Sequence, residues 1–307
     1  MSDLEVRRIP FVFDETVPFA WHPTNPEFGI TMNAVGLFII GFEKYVVDAV
    51  RQAMPAITDP AVAEEADGFL RQEAQHAKAH RMHMKSLFGR YPGLKGTLDQ
   101  VVAEYDRLFA TKPLEFHLAY VADLEATFTP YFKSLLDHAD EFFRPGDERV
   151  ASLLLWHFTE EIEHRRSALV VYDHVVGRRW YRLGQLPSVL RHIAKVVSIT
   201  VAGFNEHVPY EDRLVDARCI LPAYQVRRQL AGRFPRFAKG VDLSIPASQD
   251  PVPPAEQRRT YLRLLASQTP NHDPEHQPLP AFAEEWVARW DRGDDVTRWY
   301  TSQQEVG

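Results

Sequence analysis

The stretch Leu155-Trp156-His157-Phe158-Thr159-Glu160-Glu161-Ile162-Glu163-His164-Arg165-Arg166 decides how the chain is read. It lies in a segment of helical periodicity, which predicts one helix from near Asp147 to Val176, ended by Gly177. Glu161 and His164 are three residues apart, so both side chains leave one helix face and can converge on one cation. His157 precedes Glu161 by four residues and shares that face, whereas Glu160 and Glu163 are expected to project to either side. An earlier stretch, Phe69-Leu70-Arg71-Gln72-Glu73-Ala74-Gln75-His76, repeats the spacing with Glu73 and His76. Two half-sites of this kind point to two metal ions.

Working outward, the apolar periodicity predicts an all-α protein. From about Gly29 to Met54, Met32, Val35, Phe38, Ile39, Phe42, Val46, Val47 and Val50 recur at intervals of three and four. Glu43 falls between Ile39 and Val47, where it is either a surface residue at the stripe's edge or a buried carboxylate that needs a cation. A second helix, opened by Thr58 or Asp59 with Pro60, runs to Phe88 and stops at Gly89. It carries Glu73, His76, His80 and His83. His80 lies two turns after Glu73, placed as an added ligand, as a partner holding Glu73, or as a polar neighbour of the stripe. The next helical region runs from about Thr97 to Ala110 and resumes after Pro113 as far as Phe142, with Pro130 predicting a kink near Phe128. Glu125 stands just before that kink, and Asp123 is read as solvated.

Each Glu-x-x-His spacing is weak evidence alone. The order is stronger: a lone Glu43, then Glu73 with His76, then a lone Glu125, then Glu161 with His164. The lone glutamate precedes its pair by 30 residues in the first half and 36 in the second, about one helix and a turn. Four antiparallel helices would bring these residues together at mid-height. Four carboxylates and two imidazoles suit iron or manganese, with zinc left open.

This order resembles that of the ferritin-like di-metal carboxylate superfamily. More closely, the surroundings of Gly41, Phe42 and Glu43, then Gln72, Glu73 and His76, then the run from Thr159 to His164, resemble a bacterial family called predicted metal-dependent hydrolase, over about residues 15 to 210. The resemblance implies a ferritin-like four-helix bundle with Glu43, Glu73, His76, Glu125, Glu161 and His164 as metal ligands. The order His157, Glu161, His164 is also similar to that of di-iron arylamine N-oxygenases, which use a third histidine on this helix. His157 is therefore either a seventh ligand or a histidine packed behind the site. The expected enzyme holds two iron ions bridged by Glu73 and Glu161, the two residues expected to be catalytic, with Glu43 and Glu125 terminal. It would activate dioxygen to hydroxylate, N-oxygenate or desaturate a small organic substrate, with an electron-donor protein as partner. The alternatives are a metal-dependent hydrolase that activates water and a storage or structural metal protein.

Composition limits the remainder. A chain of 307 residues with 45% hydrophobic content can bury a full core. A net charge of −7 argues against general affinity for nucleic acid or anionic membranes and leaves a small-molecule substrate or a protein partner open. Cys219 is the single cysteine, so no intramolecular disulfide is expected, and a cytoplasmic location follows as an expectation. Met1 to Pro10 carries charges and no apolar run, so no signal peptide is read, and Ala34 to Val50 is interrupted by Glu43, Lys44 and Asp48, so no membrane span is expected.

Three regions are expected: an N-terminal arm over 1–27, rich in proline; the di-metal bundle over 28–210; and a helical, proline-rich appendage over 211–307. A fifth helix is predicted after Pro187 to about Glu206, with His192 and His207 read as surface or capping residues. A short helix from about Val215 to Phe234 follows. Nine prolines then fall between Pro235 and Pro280, around an amphipathic piece at Ala255 to Ser267. The final pattern, Ala281 to Trp290 with Trp299 and Tyr300, needs cover from the bundle or from a second subunit in a homodimer.

Overall fold

A computed structural model describes residues 4–301. The outermost parts of the arm and appendage regions, 1–3 and 302–307, lie outside the described residues. The described chain is all-helical and holds no strand. In order, its α-helices are α1 (Pro26–Ala53), α2 (Pro60–Phe88), α3 (Gly93–Thr111), α4 (Leu114–Leu136), α5 (Ala139–Phe143), α6 (Glu148–Glu163), α7 (Ser167–Val175), α8 (Arg179–His207), α9 (Tyr210–Arg213), α10 (Pro222–Ala231), α11 (Pro254–Ser267) and α12 (Ala281–Asp291).

The helix starts are written in side-chain chemistry. Asn25 caps α1 by accepting from the Phe28 N–H, Asp59 caps α2 through the Ala61 N–H, and Asp147 caps α6 through the Arg149 N–H. Proline opens both α1 and α2, where its missing N–H costs nothing. The long apolar faces then pack, α1 against α2, α3 and α4, and α6 against α2 and α4. Gly41 permits the close approach of α1 to α3, because a Cβ there would lie 2.7 Å from the Tyr105 ring.

Four expectations need correction. The helix read from Asp147 to Val176 is two helices: α6 ends at Glu163, His164 has φ −92° and ψ 15°, and α7 begins at Ser167. No glycine or proline lies between 147 and 176 to announce the break. At the break the Arg165 guanidinium donates to the Ile162 carbonyl at 2.6 Å. The fifth helix begins at Arg179 and carries Pro187 inside it, with Pro187 exposed, where water can satisfy the carbonyl left without a donor. Asp123 is not solvated: it is 1% exposed and paired with the buried Arg182 at 3.0 Å. Finally, α1 extended to Ala56 is long and apolar enough by composition to cross a membrane, despite Glu43, Lys44 and Asp48, yet 72% of its most apolar window is buried inside the protein, as in a core helix.

The two ends of the chain close over the bundle. Phe11, Val17, Phe19 and Trp21 of the arm are buried, and the Asp147 N–H at the start of α6 donates to the Trp21 carbonyl at 2.7 Å. At the other end Trp286 of α12 and Trp299 are buried, and the Trp299 N–H donates to the Ser152 hydroxyl of α6 at 3.0 Å.

Candidate metal centre

Four helices, α1, α2, α4 and α6, deliver Glu43, Glu73 with His76, Glu125, and His157 with Glu161 to one buried locus, and His164 joins them from the α6 terminus. All seven side chains are at most 2% exposed. Two groups of donor atoms form, each within 4.8 Å: Glu43, His76, His157 and Glu161 in one, and Glu73, Glu161 and His164 in the other. Glu161 belongs to both. Its Oε1 lies 2.9 Å from His157 Nε2 and 3.7 Å from His76 Nδ1, while its Oε2 lies 3.3 Å from His164 Nε2. Glu73 Oε1 also faces both groups, 3.2 Å from His164 Nε2 and 3.7 Å from His76 Nδ1. Glu125 is drawn to the second group more loosely, its Oε2 3.7 Å from His164 Nε2.

Apart from His157 Nε2 and Glu161 Oε1, which bond each other at 2.9 Å, the donor atoms are close but are not spent on hydrogen bonds. Both oxygens of Glu43 and Glu73, together with His76 Nδ1, Glu125 Oε1, Glu161 Oε2 and His164 Nε2, are buried without a hydrogen-bond partner. Orphaned acceptors on this scale are costly unless a cation completes them. The protein's own charges tell the same story. Burial, then repulsion from Glu73, Glu161 and Glu125, pushes the Glu43 carboxyl well above its ordinary range. Burial and Glu161 do the same to Glu125. Burial also acts upward on Glu161, but His164 and His157 outweigh it and hold that carboxyl below its usual range. Four carboxylates and three imidazoles, all nitrogen and oxygen donors, fit a pair of divalent cations.

Behind the donors stands a set of partners that fixes which imidazole nitrogen faces inward. His76 Nε2 is 2.8 Å from Glu160 Oε2, leaving Nδ1 for the site. Glu160 in turn accepts from the Arg7 guanidinium at 3.1 Å, and Arg7 donates to Glu163 at 2.6 and 2.9 Å. His164 Nδ1 is 3.0 Å from Gln72 Oε1, leaving Nε2 inward, and the Gln72 amide donates to the Glu5 carbonyl at 2.9 Å. His157 Nδ1 pairs with His80 Nε2 at 3.0 Å, again leaving Nε2 inward. His80 therefore supports His157 and not Glu73. Gly36 makes room for that ring, since a Cβ there would lie 3.1 Å from His80 Nδ1.

Sequence reasoning missed Glu160 and Arg7, and quoted Gln72 without a role. Glu160, expected to project aside, is fully buried and bonded to His76. The spacing 157, 160, 161, 164 follows one helix face and carries the signal. Arg7 had none, because its contact with Glu160 joins residues 153 positions apart. His192, read as surface or capping, is half-buried and bonds the Tyr120 hydroxyl at 2.8 Å, away from the site.

A family model described as predicted metal-dependent hydrolase matches residues 5–240. No curated protein and no solved structure matches the chain.

Proposed function

We propose, from the premise that this chain belongs to the predicted metal-dependent hydrolase family, that it is a two-metal enzyme whose ions make water a nucleophile. Glu43, His76, His157 and Glu161 would hold one ion, and Glu73, Glu125, Glu161 and His164 the other. The carrying observation is Glu161, which turns one oxygen to each donor group. A pair of divalent ions supplies Lewis acidity that lowers the pKa of water and stabilises negative charge developing on a substrate. The chain's own side chains do the rest. Glu160 and Gln72 keep His76 and His164 in the tautomers that face inward. The rings of Trp156, 4.9 Å from His76, and Phe69, 5.0 Å from His164, shield the donors from bulk water.

A second reading, oxidation of a small organic molecule by dioxygen with an electron-donor protein, is favoured by one observation: the donor set is entirely imidazole and carboxylate in the order Glu, Glu-x-x-His, Glu, Glu-x-x-His, which suits a redox pair of iron ions. One sample separates the two. Metal content per chain is measured, then p-nitrophenyl ester and bis-p-nitrophenyl phosphate hydrolysis with zinc or manganese, then oxygen uptake by the reduced iron-loaded protein. Metal-dependent hydrolysis that disappears in Glu161→Ala supports the first reading. Stoichiometric oxygen uptake without hydrolysis supports the second, and a chain that binds no metal overturns both.

A further inference from the structure

Between helices α1, α4 and α8 lies a half-open apolar pocket of about 330 Å3, separated from the donor residues by its Phe132 wall. Ile39 lines it one turn before Glu43, and Leu124 and Phe128 line it on either side of Glu125. Phe132 forms the wall toward the donors, its ring 6.0 Å from the His157 ring. Leu190, 56% exposed, stands on the outer side.

The chemistry of the lining selects its occupant. Among the described residues no charged side chain lines the cavity, and its polar groups are three threonines and Tyr131. Each threonine hydroxyl is already committed to its own helix: Thr31 donates to the Glu27 carbonyl, Thr127 to that of Leu124 and Thr200 to that of Val196. A charged or strongly hydrogen-bonding group entering here would lose water and gain no partner. Tyr131, Thr31 and Ile220 are shared with an adjoining cavity that is lined by Gln225, Arg228 and Gln257, so the polar boundary lies on the side of that second cavity.

We infer that this pocket serves the metal centre as its substrate pocket and takes an uncharged hydrocarbon portion of the substrate, an alkyl chain or aromatic ring, with the substrate's reactive polar group toward the donors behind Phe132. The inference rests on the two-metal reading. It accounts for an apolar chamber set against the only dense cluster of buried carboxylates among the described residues, and its size falls within the range of small-ligand sites.

The test uses N-phenyl-1-naphthylamine, an uncharged dye that fluoresces on leaving water, titrated into the full metal-loaded chain. Saturable binding of one dye per chain is expected, displaced by n-alkanols with affinity rising from hexanol to dodecanol. Val35→Trp on α1 and Val197→Trp on α8 fill the chamber from opposite walls without touching a donor, and each should weaken the dye at least tenfold. Dye bound to cobalt-loaded protein should fluoresce less than dye bound to zinc-loaded protein, because the paramagnetic ion is near. No saturable binding, a flat alkanol series, or equal fluorescence in the cobalt and zinc forms overturns the inference. So does parent-like affinity in either variant that keeps its metal. A parent chain that binds no metal overturns the two-metal reading, whatever the dye does.

Discussion

One end of the site sets two imidazoles, His76 and His157, against Glu43, while the other sets His164 alone against Glu73 and Glu125. The backing differs in the same direction. At the first end His76 is held by the Glu160 carboxylate, itself anchored by Arg7, and His157 by the His80 ring, whereas at the other His164 is held by the neutral amide of Gln72. A carboxylate behind an imidazole raises its basicity as a ligand more than an amide does. Two ions bound here would therefore sit in unequal fields, one nitrogen-rich and firmly backed, the other oxygen-rich and more loosely assembled. The nitrogen-rich end suits a later first-row metal and the oxygen-rich end a harder one.

The largest effect belongs to the residue common to both ends. Glu161→Ala should take the chain from two bound ions to none, read as metal per chain after dialysis; retention of two would break the assignment of a shared carboxylate. Histidine deletions should then separate the ends. His164→Ala should release the ion of the oxygen-rich end, and His157→Ala that of the nitrogen-rich end, each leaving about one ion per chain. If His157→Ala keeps both, the ring is a packed core histidine and the two ends are nearly alike.

How much of this was legible follows from the range of the interactions. The ligand spacing lies within single helices, and the caps Asp59 and Asp147 are local, so Glu73 with His76 and Glu161 with His164 could be read from short stretches. The break at His164 was not, because the run holds no glycine or proline to mark it. Asp123 was misread because its partner Arg182 lies 59 positions away on α8. The clasp formed by Arg7, beneath the Trp286 ring at 5.5 Å, joins both chain ends and leaves no periodic trace.

That clasp gives the next, smaller effect. Glu160→Gln keeps the shape but removes the charge behind His76, and Arg7→Ala frees the carboxylate to turn. Each should weaken the nitrogen-rich end by about 10- to 100-fold in metal affinity, measured by competition with a chelator, while leaving the other end nearly unchanged. Gln72→Leu should do the reverse. Equal weakening of both ends by either change would show that the ions bind as one cooperative pair and that the inequality of the ends has no thermodynamic weight.

His83 supplies the smallest effect on metal and isolates what burial alone does to a histidine on α2. It lies one turn beyond His80, is 2% exposed, and its Nε2 has no hydrogen-bond partner. Burial pulls it down to about 4, because the nearby Asp147 and Arg149 act on it with opposite signs. Its folded value lies below the ordinary 6.5, so the unfolded chain binds more protons between those two values. The stability this neutral ring contributes is complete above pH 6.5 and is lost as pH falls toward 4, by at most about 3 kcal/mol. Replacing it in His83→Leu should flatten that acid limb of the unfolding free energy while leaving two ions bound at neutral pH. The measurement is the difference in denaturant midpoint between parent and variant at pH 7 and pH 5, which cancels the pH dependence that metal binding gives to both. A parent and variant that lose stability in parallel would place the acid sensitivity in the metal ligands themselves, and the contrast between a partnered and an unpartnered buried histidine would fail.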